Sequence, residues 1–224
     1  MAVAILDDWS GQTAGQPNGS LTISAGSDRL LWVVFFCETG AVHTYTSMTV
    51  GTVAPTGSLI EESVASPNTF IWSWFWDEAA IASMTGTTVA LTKGGTPTTV
   101  DWDYVVFSGA SGGAEYGTSL DEASTSNTSI STTSVSSVND FIAVAINRES
   151  ANRDVTAYDN LTEGWQFNTD YTIAVADGAG GDDDVALTGD GISGDWLVQL
   201  LHIKAAPAAT AAITMKHLHE AMLK

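Results

Sequence analysis

From Leu21 onward the chain alternates short runs of Val, Ile, Thr, Phe, Tyr and Trp with clusters of Gly, Pro, Asn, Asp and Ser. Strand-length runs punctuated by turn residues at close spacing are the pattern of an all-β sandwich or barrel. The pattern predicts strands over 21–25, 29–38, 42–50, 58–64, 69–77, 87–92, 99–108, 128–135, 140–148, 154–158, 171–176, 184–188 and 195–204. Runs 29–38, 140–146 and 196–203 are apolar almost without interruption, as in Leu30-Leu31-Trp32-Val33-Val34-Phe35-Phe36-Cys37. Such a strand has no face to offer water, so these three belong in sheets covered on both sides. Tyr171-Thr172-Ile173-Ala174-Val175 alternates instead and predicts one wet face. No helical stretch separates the strands, which argues against parallel strands joined by helices. The expected body is an all-β, antiparallel β-sandwich, jelly-roll-like in class, over residues 21–204.

The flanks differ from that body. Residues 1–20 read as an N-terminal arm, with a short apolar start containing Ile5 and Leu6 and then a Gly- and Gln-containing run from Gly11 to Ser20. Residues 118–137 are a Ser/Thr tract, read as a loop leading into an edge strand, because Thr, Ile130 and Val135 suit an exposed strand. Residues 205–224 change composition again. Ala205-Ala206-Pro207-Ala208-Ala209 is a spacer, and 211–224 carries helix formers behind Thr210 as a cap. Met215, Leu218 and Met222 fall on one face of that short amphipathic helix, at i, i+3 and i+7. A helix of this length is marginal alone in water, so it needs a surface, either its own body or a neighbouring subunit. Ile5, Leu6, Met215, Leu218 and Met222 are the candidate interface residues.

Charge narrows the partners. The chain has 26 acids against 7 bases, a net charge of −19, and 44% hydrophobic residues. The apolar content supplies a core and excludes wholesale disorder. The negative field repels nucleic-acid phosphates and anionic membranes, so neither is an expected partner. The charge is also uneven: Lys216, Lys224 and Glu220 make the C-terminal segment net +1, against −20 for the rest. With Cys37 as the single cysteine no intrachain disulfide forms, and its apolar run marks it as a small core residue. The start of the chain lacks the basic region of a signal peptide, and no stretch approaches the roughly 18 apolar residues of a membrane span. The sequons at Asn18, Asn127 and Asn160 therefore carry little weight.

Few residues suggest bond-making. Gly109-Ala110-Ser111-Gly112-Gly113 matches the nucleophile-elbow pattern and follows a strand, but Ala114-Glu115-Tyr116-Gly117 does not continue it as a helix. A glycine-rich turn is the better reading of Ser111. His217 and His219 are two apart on the expected helix and point in different directions, unlike the i, i+4 pair of a helical zinc site. His43 stands alone, and His202 ends an apolar strand as a core-edge residue. Glu61 and Glu62 fall on opposite faces of a strand, which does not suit a glycosidase pair. No catalytic residue, cofactor or resident metal is assigned, and the expected protein is not an enzyme. Asp177, Asp182, Asp183, Asp184 and Asp190 offer clustered oxygen ligands in the 177–190 loop, where calcium is the alternative to a solvated hairpin.

Phe70-Ile71-Trp72-Ser73-Trp74-Phe75-Trp76 is the strongest local signal. On a strand Trp72, Trp74 and Trp76 share one face. Turned inward that face is the bulk of the core, with Trp102, Trp165 and Trp196 beside it. Turned outward it is a subunit interface or a platform on which sugar rings stack. The core reading leads.

Ser24-Ala25-Gly26-Ser27-Asp28-Arg29 running into Leu30–Glu38 resembles the first long strand of an all-β domain of tailed-phage structural proteins. The Trp-rich run 70–76, Val105-Val106-Phe107-Ser108-Gly109, Asp140-Phe141-Ile142-Ala143-Val144-Ala145 and the strand from Trp196 to Ile203 extend the likeness over about residues 20–205. The resemblance implies a β-sandwich on a virion surface, in decoration, turret or fibre proteins, and carries no catalytic residues. It implies virion proteins as partners (major capsid, portal or neck, or tail), a homo-oligomer, and synthesis in the host cytoplasm. The expected role is head decoration or head–neck cementing by adhesion between subunits. A carbohydrate- or receptor-binding module of a tail fibre is the alternative, and an esterase-like or glycan-cleaving enzyme, with Ser111 as the residue to test, the third.

Overall fold

The computed structural model describes residues 2–8, 19–39, 44–62, 68–94, 99–125, 127–131, 139–148, 155–159, 161–168, 172–179, 184–189 and 194–207. In chain order the elements are β1 (Ala4–Asp7), β2 (Leu30–Thr39), β3 (Thr44–Val50), β4 (Gly57–Glu62), β5 (Asn68–Trp76), α1 (Glu78–Ser83), β6 (Val89–Gly94) and β7 (Thr99–Ser108). They continue as β8 (Ala110–Thr125), β9 (Asn127–Ser131), β10 (Phe141–Arg148), β11 (Val155–Asp159), β12 (Thr162–Asn168), β13 (Thr172–Ala179), β14 (Asp184–Gly189) and β15 (Gly194–Ala205). The protein is all-β and antiparallel. One five-stranded sheet has the order β1-β7-β2-β5-β4 and a second β12-β13-β10-β15-β8, with a three-stranded sheet β11-β14-β9 and a β3-β6 ribbon.

Alternation along β2 explains how these layers stack. Leu30, Trp32, Val34 and Phe36 join Ile71, Phe75, Val105 and Phe107 in a cluster shared with Ala143, Ala145, Leu197 and Leu201 of the second sheet. Leu31, Val33 and Phe35 face the other way, into a cluster with the tryptophans of β5, Met48 and Val50 of β3, Val89 and Leu91 of β6, and Ile81 of α1. The second sheet repeats the arrangement: Ile142, Val144, Ile146, Trp196, Val198 and Leu200 pack outward against Val155 of β11 and Leu187 of β14. The uninterrupted apolar runs are thus the strands with cover on both faces. β2 and β10 are the middle strands of their sheets, and Leu30 to Phe36 are all fully buried.

Polar groups cross the shared core as well. Ser73 Oγ lies 2.7 Å from Gln199 Oε1, and Gln199 Nε2 donates to the Ile71 carbonyl at 2.9 Å. Asn147 Nδ2 donates to the Phe70 carbonyl at 3.2 Å. These side chains reach from the second sheet to the first and fix one alignment between them, because any sliding would strand buried polar atoms.

Several expectations need correction. Within the expected N-terminal arm, residues 4–7 form a strand: β1 pairs with β7, sending Ile5 toward the shared core and Leu6 toward the ribbon side. Four residues are too short a run to read as a strand from pattern. Residues 21–25 form no strand, because Ser24 spends both its backbone N–H (2.7 Å) and its hydroxyl (2.6 Å) on the Asp7 carboxylate. A helix does interrupt the strands: Asp77 Oδ1 accepts from the Ala80 N–H at 2.9 Å and starts α1. The glycine-rich turn and the Ser/Thr loop are mostly strand, since β8 runs 16 residues at the edge of the second sheet and β9 follows it. β12 was not expected either. Residues 211–224, the expected C-terminal helix with Met215, Leu218 and Met222, lie outside the described residues.

Candidate functional site

One end of the two large sheets gathers both ends of the described chain. The chain passes from β7 in the first sheet to β8 in the second through Gly109 alone, with φ +73. Only glycine fits there, since a Cβ would lie 2.6 Å from the Ala2 carbonyl oxygen. The corner is pinned on every side. Gly109 N–H donates to Ser27 (3.3 Å), Ala110 N–H to Asp28 (2.8 Å), and Ala206 N–H to the Gly109 carbonyl (2.7 Å). Val3 N–H donates to Asn139 at 2.8 Å. Next to Asn139, Asp140 binds His202 Nε2 with one oxygen at 3.0 Å and accepts the Ala205 N–H with the other at 2.8 Å. The Asp140–His202 pair therefore ties the end of β15 to the start of β10.

Beside this corner stands α1. Asp28 has φ +53, and the turn it makes delivers Arg29 to Glu78. Glu78 accepts the Arg29 backbone N–H at 2.7 Å and holds the guanidinium through Nε at 3.0 Å and Nη2 at 2.6 Å. The hydrogen bond that Arg29 donates to Glu78 raises the Arg29 pKa, against the opposing effect of partial burial. The hydrogen bond from Arg29 lowers the Glu78 pKa, again against partial burial. A carboxylate with a depressed pKa stabilises the fold above its unfolded pKa and loses that contribution as pH falls through the folded value. Glu78→Gln should therefore lower stability by about 1 kcal/mol at pH 7, discounted for a half-open pair. The difference from the parent should shrink as the pH falls below the ordinary glutamate range. Denaturant melts of both proteins across pH check this.

Two clefts meet at Gly86. The smaller, about 200 Å³, is lined by Ile23, Arg29, Ile81, Met84, Gly86 and Thr87. The larger, about 300 Å³, is lined by Thr49, Thr52, Thr85 and Thr88. Its edge is a tight turn in which Val50 and Val53 exchange backbone hydrogen bonds at 3.0 and 2.9 Å, with Gly51 at φ +52 and Thr52 at φ +69. Positive φ at both central residues is the primed hairpin turn, which favours glycine. Thr52 is β-branched and pays for that conformation. Thr52→Gly should raise stability by about 0.5–1 kcal/mol, the released strain less the chain entropy glycine adds. A higher melting temperature is the readout.

The sequence candidates are distributed as follows. Trp72, Trp74 and Trp76 lie inside the chain's own core, 3%, 6% and 0% exposed, beneath the β3–β6 ribbon. Ser111 is exposed at the start of β8, whereas His202 is fully buried and turned to Asp140. Asp177 belongs to β13 and Asp184 to β14, in different sheets; Asp182, Asp183 and Asp190 lie outside the described residues, as do His43, His217 and His219. Among the described residues no group of three His, Cys, Asp or Glu is placed to hold a metal ion. No helix among them is long and apolar enough to cross a membrane. Sequence reasoning missed the Arg29–Glu78 clamp and the Asp140–His202 tie. The first had a signal, an Asp-Arg pair opening a buried strand, but its partner lies 49 residues away. No protein-family model, curated protein or solved structure matches the chain.

Proposed function

We propose that this chain is a structural protein of a tailed-phage virion, a jelly-roll-like β-sandwich that decorates the head or the head–neck junction. It acts by adhesion as a homo-oligomer on major capsid, portal, neck or tail proteins, on the virion surface, and makes no bonds. The observation that carries this reading is the burial of Trp72, Trp74 and Trp76 inside the chain. The largest aromatic mass is spent on a stiff, doubly covered sheet and leaves no stacking face on β5 for sugar rings, which favours cementing over the carbohydrate-binding alternative. The acidic body, the resemblance to phage all-β domains, and an end of the sheets at which Val3 and Ala206 are both held support the same reading. Repeated weak contacts on a symmetric shell would add up through avidity.

Antibody against this chain, applied to particles purified from its source and viewed by electron microscopy, tests the proposal. Regular labelling at symmetric positions on intact particles is expected. Particles free of the chain, with all of it in the unassembled fraction, would remove the reading.

A further inference from the structure

The described chain crosses between the two large sheets at Gly109, so each sheet is built from its own half of the sequence: β1 to β7 precede the glycine and β8 to β15 follow it. The two halves repeat one connectivity. In the first, the large sheet runs β1-β7-β2-β5-β4 and the ribbon β3-β6 covers it. Replacing β1 to β7 in chain order by β8, β10, β11, β12, β13, β14 and β15 turns that sheet into β8-β15-β10-β13-β12 and the ribbon into β11-β14, which are the orders observed. β9 is the strand left over, and it too has a counterpart. It pairs with β14 on the edge away from β11. In the first half residues 19–21 hold that place against the start of β6: Ser20 bridges Thr88, Leu21 N–H donates to Thr87 at 2.9 Å, and Val89 N–H donates to Gly19 at 2.8 Å.

Two antiparallel sheets can reach one strand order independently, so the facing of the side chains carries more weight. Asp-Trp stands near the start of the last strand of each half, as Asp101-Trp102 in β7 and Asp195-Trp196 in β15. Laid on that pair, Trp102, Tyr104 and Val106 fall on Trp196, Val198 and Leu200, and each set turns away from the shared core into the outer cluster of its own half. Phe107 falls on Leu201, and both enter the shared core. Cross-strand pairing carries the match onward. Leu31 opposite Val106 falls on Val144 opposite Leu200, and Trp32 opposite Val105 falls on Ala145 opposite Gln199. Leu31 and Val144 face outward, whereas Trp32 and Ala145 face the shared core. A slip of one residue would reverse every one of these agreements.

Contacts between the halves are reciprocal as well. Val3, just ahead of β1, donates its N–H to the carbonyl of Asn139, two residues before β10. Ala110, which starts β8, donates to the carbonyl of Asp28, two residues before β2, and both bonds are 2.8 Å long. Matched contacts of this kind, in which each copy offers the other the same surface, belong to a twofold axis. The axis falls at Gly109, whose carbonyl takes the Ala206 N–H at 2.7 Å and whose Cα lies against Ala2 with no room for a Cβ. We infer that the chain is a fused dimer: two copies of one two-sheet unit, residues 2–108 and 110–206, related by a pseudo-twofold axis at Gly109. The face that each unit turns to the other is then a docking surface for a second copy of the unit, and here the same chain supplies that copy. The repeat stands whether or not the virion reading does.

A crystal structure of the intact chain tests the repeat. Residues 2–108 should superpose on 110–206 by a rotation of about 180°, with Trp102 on Trp196, Trp32 on Ala145 and the axis at Gly109. A rotation far from a half-turn, or a best fit that shifts β7 against β15 by one residue, overturns the inference. The twofold also has a consequence in solution. Because Ala2 and Ala206 both meet Gly109, a chain reordered as residues 110–206, a single glycine and then residues 2–108 remakes the same corner. It should unfold in one cooperative transition and keep the near-ultraviolet circular dichroism of the parent. Recovery of that signal only when the single glycine is replaced by a long flexible linker would place Ala206 and Ala2 away from the axis, and overturns the inference too. Where the reordered chain does not fold, the superposition within the intact chain decides alone.

Discussion

Trp76→Ala should lower the free energy of unfolding by about 3–5 kcal/mol, the range for emptying a large aromatic site in a packed core. Trp76 is fully buried at the end of β5, packed with Leu31 and Val33 of β2 on the face that the β3–β6 ribbon covers. Its indole also does polar work: Nε1 donates to the Val53 carbonyl at 3.1 Å. Val53 belongs to the strained turn beside the threonine-lined cleft, so one side chain both fills the core and anchors that turn to the sheet. Truncation loses the burial, leaves a cavity between β5 and the ribbon, and strips a partner from the carbonyl. Trp76→Phe keeps most of the volume and loses the hydrogen bond, and should cost about 1–2 kcal/mol. Natural domains of this size are stable by only about 5–15 kcal/mol, so the alanine variant approaches the limit of folding. Denaturant titration checks both: the midpoint should fall in the order parent, Phe, Ala, with little change in slope. A loss under 1 kcal/mol for Trp76→Ala would mean that the tryptophan strand does not stiffen the body, and would take the proposed adhesive role with it.

How far the sequence reached is clearest strand by strand. β2, β10 and β15 were legible because burial on both faces removes every polar residue but a few, and an unbroken apolar run has one structural meaning at that length. β8 was illegible for the opposite reason. It sits at the edge of its sheet and carries small and polar residues, so nothing in Ala-Ser-Gly-Gly-Ala-Glu-Tyr-Gly-Thr-Ser distinguishes a paired strand from a turn. Its pairing comes from β15, a long-range partner, and the register shifts between Gln199 and Leu201 and between Ile203 and Ala205 show β8 taking up extra residues against it. β1 was lost to its length, and so was α1, whose six residues are too few to show a helical period, although Asp77-Glu78-Ala79-Ala80 carries an ordinary helix start.

The site was less legible than the fold. Its parts are single residues whose meaning depends on residues far away in the chain: Gly109 on Ala2, Arg29 on Glu78, Asp140 on His202 and Ala205. Ser27-Asp28-Arg29 could be marked as a turn opening a strand, yet a turn alone does not say that it clamps a helix and borders a cleft. The tryptophan face posed a question that pattern cannot answer, since period-two alternation states that residues share a side and is silent on what covers it. The cover is the β3–β6 ribbon, whose own residues Met48, Val50, Val89 and Leu91 complete that cluster.

Gln199→Leu should cost about 2–4 kcal/mol, although it puts an apolar residue of similar size into an apolar strand, because about 1–3 kcal/mol attends each buried group deprived of a partner. Gln199 stands within Leu197-Val198-Gln199-Leu200-Leu201, and its amide is fully buried between the two large sheets. It takes the Ser73 hydroxyl with its oxygen at 2.7 Å and gives its nitrogen to the Ile71 carbonyl at 2.9 Å, so leucine deprives two groups of the first sheet at once. Ser73→Ala removes one of those groups and should cost less, about 1 kcal/mol. Together the two changes should cost less than their sum, since the double variant no longer has a hydroxyl missing its amide, and a coupling of about 0.5–3 kcal/mol is usual for residues in one network. Unfolding curves of the four proteins give that coupling. Additive losses would show that the amide is held by β15 alone. A clear coupling would mean that the two sheets are registered by a polar contact as well as by apolar packing: apolar surfaces slide past one another at little cost, whereas a buried amide whose partners sit on the opposite sheet does not.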